Sequence, residues 1–441
     1  MKPAKFGIGQ SVRRVEDQKF VTGAGRYSAD VMPEGALAGY VLRSPHAKAR
    51  IAGIDAAAAR AMPGVVLVLL ASDIAAIGTL PCLAALPNPD GTIMGQPPYP
   101  VLAGDEVRHV GDAVAFVVAE TDAAARDAGE AIQVDYAVEQ PVVDMRDALA
   151  AGAPLVWLQE KSNLAVESAI GTPADVEAAF ATAKHHVAID IVNNRLVTNY
   201  MEPRAAIGEY DAANGRFTLT TSSQGVHGLQ GSLAGVIGVD ASKLRVRTFD
   251  VGGGFGTKSF LYREYPLVLE AAKRTGRPVR WVSDRSEHFL GDAQGRDNLV
   301  HAEMALDSDG RFLALRIDTI ANLGAYLSQY GPYIPFLGIS MATGTYDIPK
   351  LHARMRAVYT NTTPVDAYRG AGRPEAAYVL ERLVDACALQ LGIPREEIRA
   401  RNFVKPSQMP YKTLTDRTYD VGDFEGAMRQ ALRKADVDGF E

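Results

Sequence analysis

Cysteine is nearly absent from this chain. Its 441 residues include two, Cys82 and Cys387, and no Cys-x-x-Cys pair. An iron–sulfur cluster takes about four cysteines, so the chain cannot ligate one alone, and zinc-ribbon spacing is excluded with it. The histidines fall into no metal-ligand spacing. Long apolar runs are also missing: the strongest, Val65–Ala71, falls far short of the roughly 20 residues that cross a bilayer. The opening MKPAKFGIGQSVRRVED has no apolar core of a secretory signal, so a reduced, cytoplasmic protein without a membrane span is the expectation. Neither charge sign dominates. With 46 Lys+Arg against 52 Asp+Glu and no basic stripe, no nucleic-acid partner is expected. No Gly-x-Ser-x-Gly nucleophile elbow occurs.

Hydrophobic residues, at 47%, and 41 glycines are plentiful. A chain this long buries a large core without disulfides and suggests about two to four domains. The pattern reads as α+β. Ile51–Leu70 and Val117–Tyr136 share a rhythm of strand, Asp-led alanine-rich helix and strand, as an internal repeat would. Thr79–Pro100, rich in proline, glycine and asparagine, reads as a long ordered loop. A boundary is expected near Pro141–Pro154. Beyond it, His185–Val197 alternates as a strand, with Val187, Ile189 and Ile191 on one face. Further strands are expected at Arg216–Ser222 and Leu244–Val251. The DSDG turn joins Asn298–Leu306 and Phe312–Ile320 into a hairpin. Helices are expected over Leu261–Arg274, Arg373–Leu391, Arg395–Asn402 and Glu425–Ala435. Ala377, Leu380, Val384, Cys387 and Leu391 share a helical face, which makes Cys387 a core residue.

Three segments could carry chemistry. Val251–Ser259, VGGGFGTKS, follows a strand and precedes a helix, a setting in which glycine amides suit an anion. It misses the phosphate-binding loop pattern because Thr257 stands where glycine is needed. Ala367–Glu375, AYRGAGRPE, combines exposed turns, Arg369, Arg373 and a helix start. Ser222–Gly231, SSQGVHGLQG, places Gln224, both donor and acceptor, just after a strand. Taken singly, each glycine loop is equally a tight turn or a helix cap, and a glutamine at a strand end is far more often structural. His227 could be a ligand or a general base but has no spaced partner, the neighbours His185 and His186 point to opposite faces of a strand, and Tyr200–Pro203 reads as a functional turn or, equally, Glu202 as a surface or paired acid.

Together, these residues resemble the molybdenum-binding large subunit of the xanthine dehydrogenase/aldehyde oxidase/aerobic carbon monoxide dehydrogenase family. The resemblance is carried by Gly23–Val31, Leu42–Ile51, Gly111–Thr121, NYMEPRAA at Asn199–Ala206, and DVGGGFGTK at Asp250–Lys258. It continues through NLGAY at Asn322–Tyr326, Thr363–Asp385 and IRARNF at Ile398–Phe403. It implies an a/b hammerhead domain over 1–150 and the first part of a molybdopterin-binding domain over 151–441.

The resemblance also implies a site. Gln224, followed by Gly225, looks like the glutamine that reaches the molybdenum oxo ligand. Gly253, Gly254, Phe255 and Gly256 look like the backbone packed against the metal centre. Arg369, Gly370 and Ala371 look like the second active-site loop. The molybdenum would be held through the pterin, in its cytosine dinucleotide form, with no protein metal ligand. Copper-containing carbon monoxide dehydrogenases carry a cysteine where this chain has Gly370, which argues against a molybdenum–copper site. Xanthine dehydrogenases carry an aromatic at Ala371 and an acid at Ser259, which argues against a purine. The implied activity is oxidative hydroxylation of an aldehyde or N-heterocycle, with water as oxygen donor. A [2Fe-2S] small subunit and an FAD medium subunit would take the electrons. Complete large subunits are longer and carry the general base beyond this region, so a second large-subunit chain is an expected partner. The alternatives are a non-catalytic assembly subunit or fragment of that family, and a nucleotide binder using Lys258.

Overall fold

Both Asp-led, alanine-rich stretches fold as strand, helix, strand in the computed structural model, which describes residues 11–440. The first ten residues, part of the opening read above for a leader, lie outside it. The first stretch gives Ala49–Asp55, Ala57–Ala61 and Val65–Leu69; the second gives Ala113–Ala119, Asp122–Glu130 and Gln133–Val138. Their caps differ. Asp55 accepts a hydrogen bond from the Ala57 N–H at 2.9 Å. In the second unit the cap is Thr121, whose hydroxyl accepts from the Ala124 N–H at 3.1 Å, so Asp122 is the first helical residue rather than the cap. The units complete each other's sheets. Ala49–Asp55 pairs with Gln133–Val138, and Val65–Leu69 with Ala113–Ala119, both antiparallel.

Two larger sheets organise the rest. The first runs, in spatial order, Leu244–Arg247, Arg216–Thr221, Ala205–Asp211, Val279–Val282, Leu37–Arg43, Ala113–Ala119 and Val65–Leu69. It therefore contains strands from both sides of Pro141–Pro154. The joint is parallel pairing of Leu37 and Ala38 with Val279 and Arg280. Helices Val226–Ile237 and Glu264–Thr275 share its core, with Leu233, Tyr265 and Trp281 buried. The second sheet runs Leu164–Gly171, Leu351–Tyr359, Phe312–Gly324, Asn298–Leu306 and His185–Asn193. The long helix Arg373–Leu391 packs on it. Cys387 on that helix is fully buried, and burial pushes its thiol up to about 12, so it is an inert core residue. Ala377, assigned to the same face by spacing, is exposed.

Other elements differ from expectation at their ends. The strand expected over Leu244–Val251 stops at Arg247, and the helix expected from Leu261 begins at Glu264. The second hairpin strand runs past Ile320 to Gly324. Thr79–Pro100 is a loop that buries Leu80, Leu86 and Met94. Helix Val226–Ile237 has no counterpart in the sequence reading. Gly228, Gly231 and Gly235 depress its propensity, and burial of Leu229, Leu233 and Val236 outweighs them. Among the described residues no helix is long and apolar enough to cross a membrane.

Candidate active site

Strands Arg216–Thr221 and Leu244–Arg247 are parallel neighbours. Chain leaving the carboxyl ends of adjacent parallel strands arrives at one place, which is where open α/β sheets bind ligands. The first strand delivers Gln224, and the second delivers the glycine loop, residues 250–257. The Gln224 N–H donates to the Lys258 carbonyl at 3.0 Å. Its side-chain oxygen accepts from the Gly256 N–H at 2.8 Å. Its side-chain nitrogen has no protein partner among the described residues, so this donor is free. Gly225 follows, donating to the Ser223 hydroxyl at 3.1 Å, and helix Val226–Ile237 begins there.

The glycines are required by space. A Cβ on Gly254 would stand 2.4 Å from the Gln224 side-chain oxygen. Gly256 has φ +109°, and a Cβ there would stand 2.5 Å from the Ala367 carbonyl. Between them Phe255 adopts φ +48°, unusual for a residue with a side chain, and its ring is 45% exposed. The second loop, residues 366–372, is stitched to the first: the Arg369 N–H donates to the Phe255 carbonyl at 2.8 Å. Ala371 also has φ +48°, with its N–H on the Tyr368 carbonyl at 2.9 Å, and helix Arg373–Leu391 follows. The structure thus gathers Gln224, Gly253–Gly256 and Arg369–Ala371 into one crevice. Gly253, Gly254 and Phe255 present N–H groups without protein partners among the described residues. With a helix N-terminus and the exposed Arg369 beside them, they favour an anionic or oxygen-rich ligand.

Glu202 and Lys258 lie behind the glycine loop. One Glu202 oxygen accepts from the Gly252 N–H at 2.7 Å and from Lys258 Nζ at 2.8 Å. Lys258 also donates to the Glu202 carbonyl at 2.8 Å and lies over the Tyr200 ring, and its side chain is fully buried. Burial lowers its ammonium below the ordinary lysine value, against the pull of Glu202. Glu202 is therefore a paired acid. Lys258 Nζ is buried on Glu202 and does not face the crevice, so it is not placed to hold a phosphate there, as the nucleotide-binding alternative requires. The buried charges continue outward. The Tyr200 hydroxyl donates to Asp292, which also takes Arg204 Nε at 2.8 Å and contacts His288 Nδ1 at 2.8 Å. Arg204 reaches Glu264 at 2.8 Å, and Glu264 takes Arg43 at 2.7 Å. Burial alone would raise Glu264, but Arg204 and Arg43 hold it down to about 2. Buried ion pairs, bridged by Tyr200, thus run from the glycine loop into the first 150 residues.

Asp366 opens the second loop and is fully buried. It accepts from the Tyr330 and Ala367 N–H groups at 2.9 and 2.6 Å, and burial pushes its carboxyl up to about 6. His227 is exposed on the helix after Gln224. Among the described residues no three His, Cys, Asp or Glu side chains cluster to hold a metal, so a metal in this crevice would bring ligands of its own. Two residues that the sequence reading missed stand behind the second loop: Arg296 and Glu375, paired at 2.8 Å and buried. Only the unusual placing of an arginine between Gly295 and a strand start could have hinted at Arg296.

A family model described as a molybdopterin cofactor-binding domain matches residues 158–403, which include Gln224 and both loops. The chain belongs to that family. A second, the a/b hammerhead domain of aldehyde oxidase and xanthine dehydrogenase, matches residues 22–140. Among relatives of this molybdopterin-binding chain, the carbon monoxide dehydrogenase large chain of Hydrogenophaga pseudoflava is 34% identical over 96% of this chain and 53% of its own length. The nicotinate dehydrogenase large molybdopterin subunit of Eubacterium barkeri is 29% identical over 98% of both chains. The crystal structure of quinoline 2-oxidoreductase from Pseudomonas putida 86 superposes with a TM-score of 0.94 at 33% identity, over 99% of this chain and 55% of that one. The chain spans about half the length of most curated relatives it matches.

Proposed function

We propose that this chain is the first half of the large subunit of a molybdenum hydroxylase, completed by a second large-subunit polypeptide. The observation that carries the reading is the convergence of Gln224 and two strained loops on one crevice of unpartnered N–H groups. Of the seven non-glycine residues with positive φ among the described residues, Phe255 and Ala371 lie in the two loops and Arg296 binds the second loop from behind. Such strain persists where the surroundings over-determine it, and it concentrates at functional sites. Molybdopterin in its cytosine dinucleotide form fits a crevice rich in amide donors and poor in metal ligands, because its own sulfurs hold the molybdenum. When bound, that cofactor supplies oxygen transfer from water and takes two electrons from the substrate.

The chain's own residues orient and polarise. Gln224 Nε2 would donate to an oxygen of the bound cofactor, while the Gly256 N–H holds the other end of the amide. The N–H groups of Gly253–Phe255 and the Arg369 guanidinium stabilise negative charge as it develops. A general base is not supplied from behind these loops. Glu202 is bound to Lys258, Glu375 to Arg296, and Asp366 is buried beneath its own loop. On the family resemblance, the base is assigned to the partner half. The Eubacterium barkeri subunit, a relative of this same length, supports a naturally divided large subunit. The substrate is an aldehyde or an electron-poor N-heterocycle. Electrons leave through [2Fe-2S] and FAD subunits, in the cytoplasm.

Purification from the native host, with molybdenum, released nucleotide and co-purifying chains measured together, tests this. Stoichiometric molybdenum with a second large-subunit chain and iron–sulfur and flavin subunits is expected. A complex that contains those partners but no molybdenum would sink the reading and leave a non-catalytic assembly subunit.

A further inference from the structure

The second loop is held from behind by a residue outside every recognised motif. The Gln294 N–H donates to the Pro364 carbonyl at 2.9 Å, and the Asp366 N–H to the Gln294 carbonyl at 2.8 Å, which lays residues 294–297 beside the loop. Arg296 and Asp297 then adopt φ +65° and +71° in succession. Each such residue costs on the order of 1–3 kcal/mol and needs anchoring. Asp297 is anchored by Arg195 at 2.7 Å and Asn322 at 3.0 Å. Arg296 is anchored by the loop itself. Its Nη1 donates to the Tyr368 carbonyl at 3.1 Å and to Glu375 at 2.8 Å, and its Nη2 to the Arg369 carbonyl at 2.8 Å. The guanidinium also lies over the Tyr368 ring, 4.8 Å from its centroid. Glu375 sits in the first turn of helix Arg373–Leu391, so one cation ties the loop to the helix it enters.

We propose that Arg296 is a positioning residue that aims the backbone of the second loop at the cofactor crevice; this rests on the reading of the site given above. The reason lies in the planar trans peptide, whose C=O and N–H point opposite ways. Drawing the Tyr368 carbonyl back toward Arg296 sends the Arg369 N–H forward, where it meets the Phe255 carbonyl. Drawing the Arg369 carbonyl back sends the Gly370 N–H forward in the same way, and that group has no protein partner among the described residues. Arg296 thus sets the stitch between the loops and presents one more donor. Glu375 balances its charge. Lysine cannot replace Arg296, because a point charge lacks the fork that spans two carbonyls and a carboxylate.

The test uses Arg296→Lys and Glu375→Gln in the full chain, purified with its partner subunits. Alanine at 296 is avoided because it strands Glu375. Three things are measured: amide exchange, the Mo(V) paramagnetic resonance spectrum and the split between kcat and KM. Arg296→Lys is expected to speed exchange at Arg369 and Gly370 while residues 379–388 stay protected. Molybdenum content should hold, the Mo(V) spectrum should shift, and kcat should fall by about 10²-fold with KM little changed. Glu375→Gln should produce a weaker form of the same pattern. An unchanged spectrum and unchanged exchange in Arg296→Lys would overturn the proposal, as would a loss of protection spread evenly over the fold. If the wild-type complex holds no molybdenum, the cofactor reading fails separately, and exchange at Arg369 and Gly370 still decides the role of Arg296.

Discussion

Toward the buried ion pair behind it, the glycine loop is fastened by its amides and the second loop by its carbonyls. In the first, Glu202 and Gln224 accept from Gly252 and Gly256, at its two ends, and leave the N–H groups between them open. In the second, Arg296 takes two successive carbonyls and turns the N–H groups outward. Each fastening rests on a buried ion pair, but the pairs are reversed: the anion touches the first loop, and the cation touches the second. Both arrangements have the same result, a rim of backbone donors around Gln224. A site can therefore be made electropositive without exposing lysine, and Lys258 is spent on the framework.

The largest expected effect separates the two fastenings. Lys258→Met leaves Glu202 buried without its counter-ion, which costs about 3–5 kcal/mol. Thermal melting should show the loss, and adding Glu202→Gln should restore a large part of it. Melting like wild type would mean that the pair does not hold the glycine loop.

Asp366 lies beneath the second loop only, and its pH dependence isolates that side. Its folded value near 6 exceeds the ordinary 3.8, so the native state binds the proton more tightly. Stability from this group is full below about pH 3.8 and falls by about 3 kcal/mol as pH rises through 6. Asp366→Asn should flatten that decline in denaturant titrations between these limits. His109 has the opposite sense: burial lowers it to about 4, so its neutral form supports the fold above the ordinary 6.5 and that support is lost as pH falls toward 4.

A smaller effect is expected where the loops meet. Gly256→Ala places a Cβ against the Ala367 carbonyl at left-handed φ, with strain of about 1–3 kcal/mol. Amide exchange should rise at Arg369 as well as at Gly256, because the stitch opens from both sides. Exchange confined to the glycine loop would show that the loops are independent. The smallest effect is a gain. Ala371→Gly relieves φ +48° and should stabilise by up to about 1 kcal/mol, read as a slightly higher melting temperature.

Much of this was legible in order along the chain. The alanine-rich repeat, the DSDG hairpin and helix Arg373–Leu391 declare themselves through periodicity and turn chemistry. Gln224 and the two loops were legible as a combination of motifs, although each alone was ambiguous. Helix Val226–Ile237 was hidden because its glycines argue against it and only its packing argues for it. The pairing of Glu202 with Lys258 was hidden because 56 positions separate them and sequence spacing carries no record of it. Arg296 was hidden for the same reason, and because its backbone conformation is imposed by neighbours rather than by its own preference.

The seven-stranded sheet has a consequence for recombination. Leu37 and Ala38 meet Val279 and Arg280 in a short parallel seam, and Arg43 crosses it to Glu264 and Glu287. Residues 1–150 are thus not an exchangeable cassette. A chimera that takes this stretch from a relative must reproduce the seam's register and deliver a guanidinium to two waiting carboxylates.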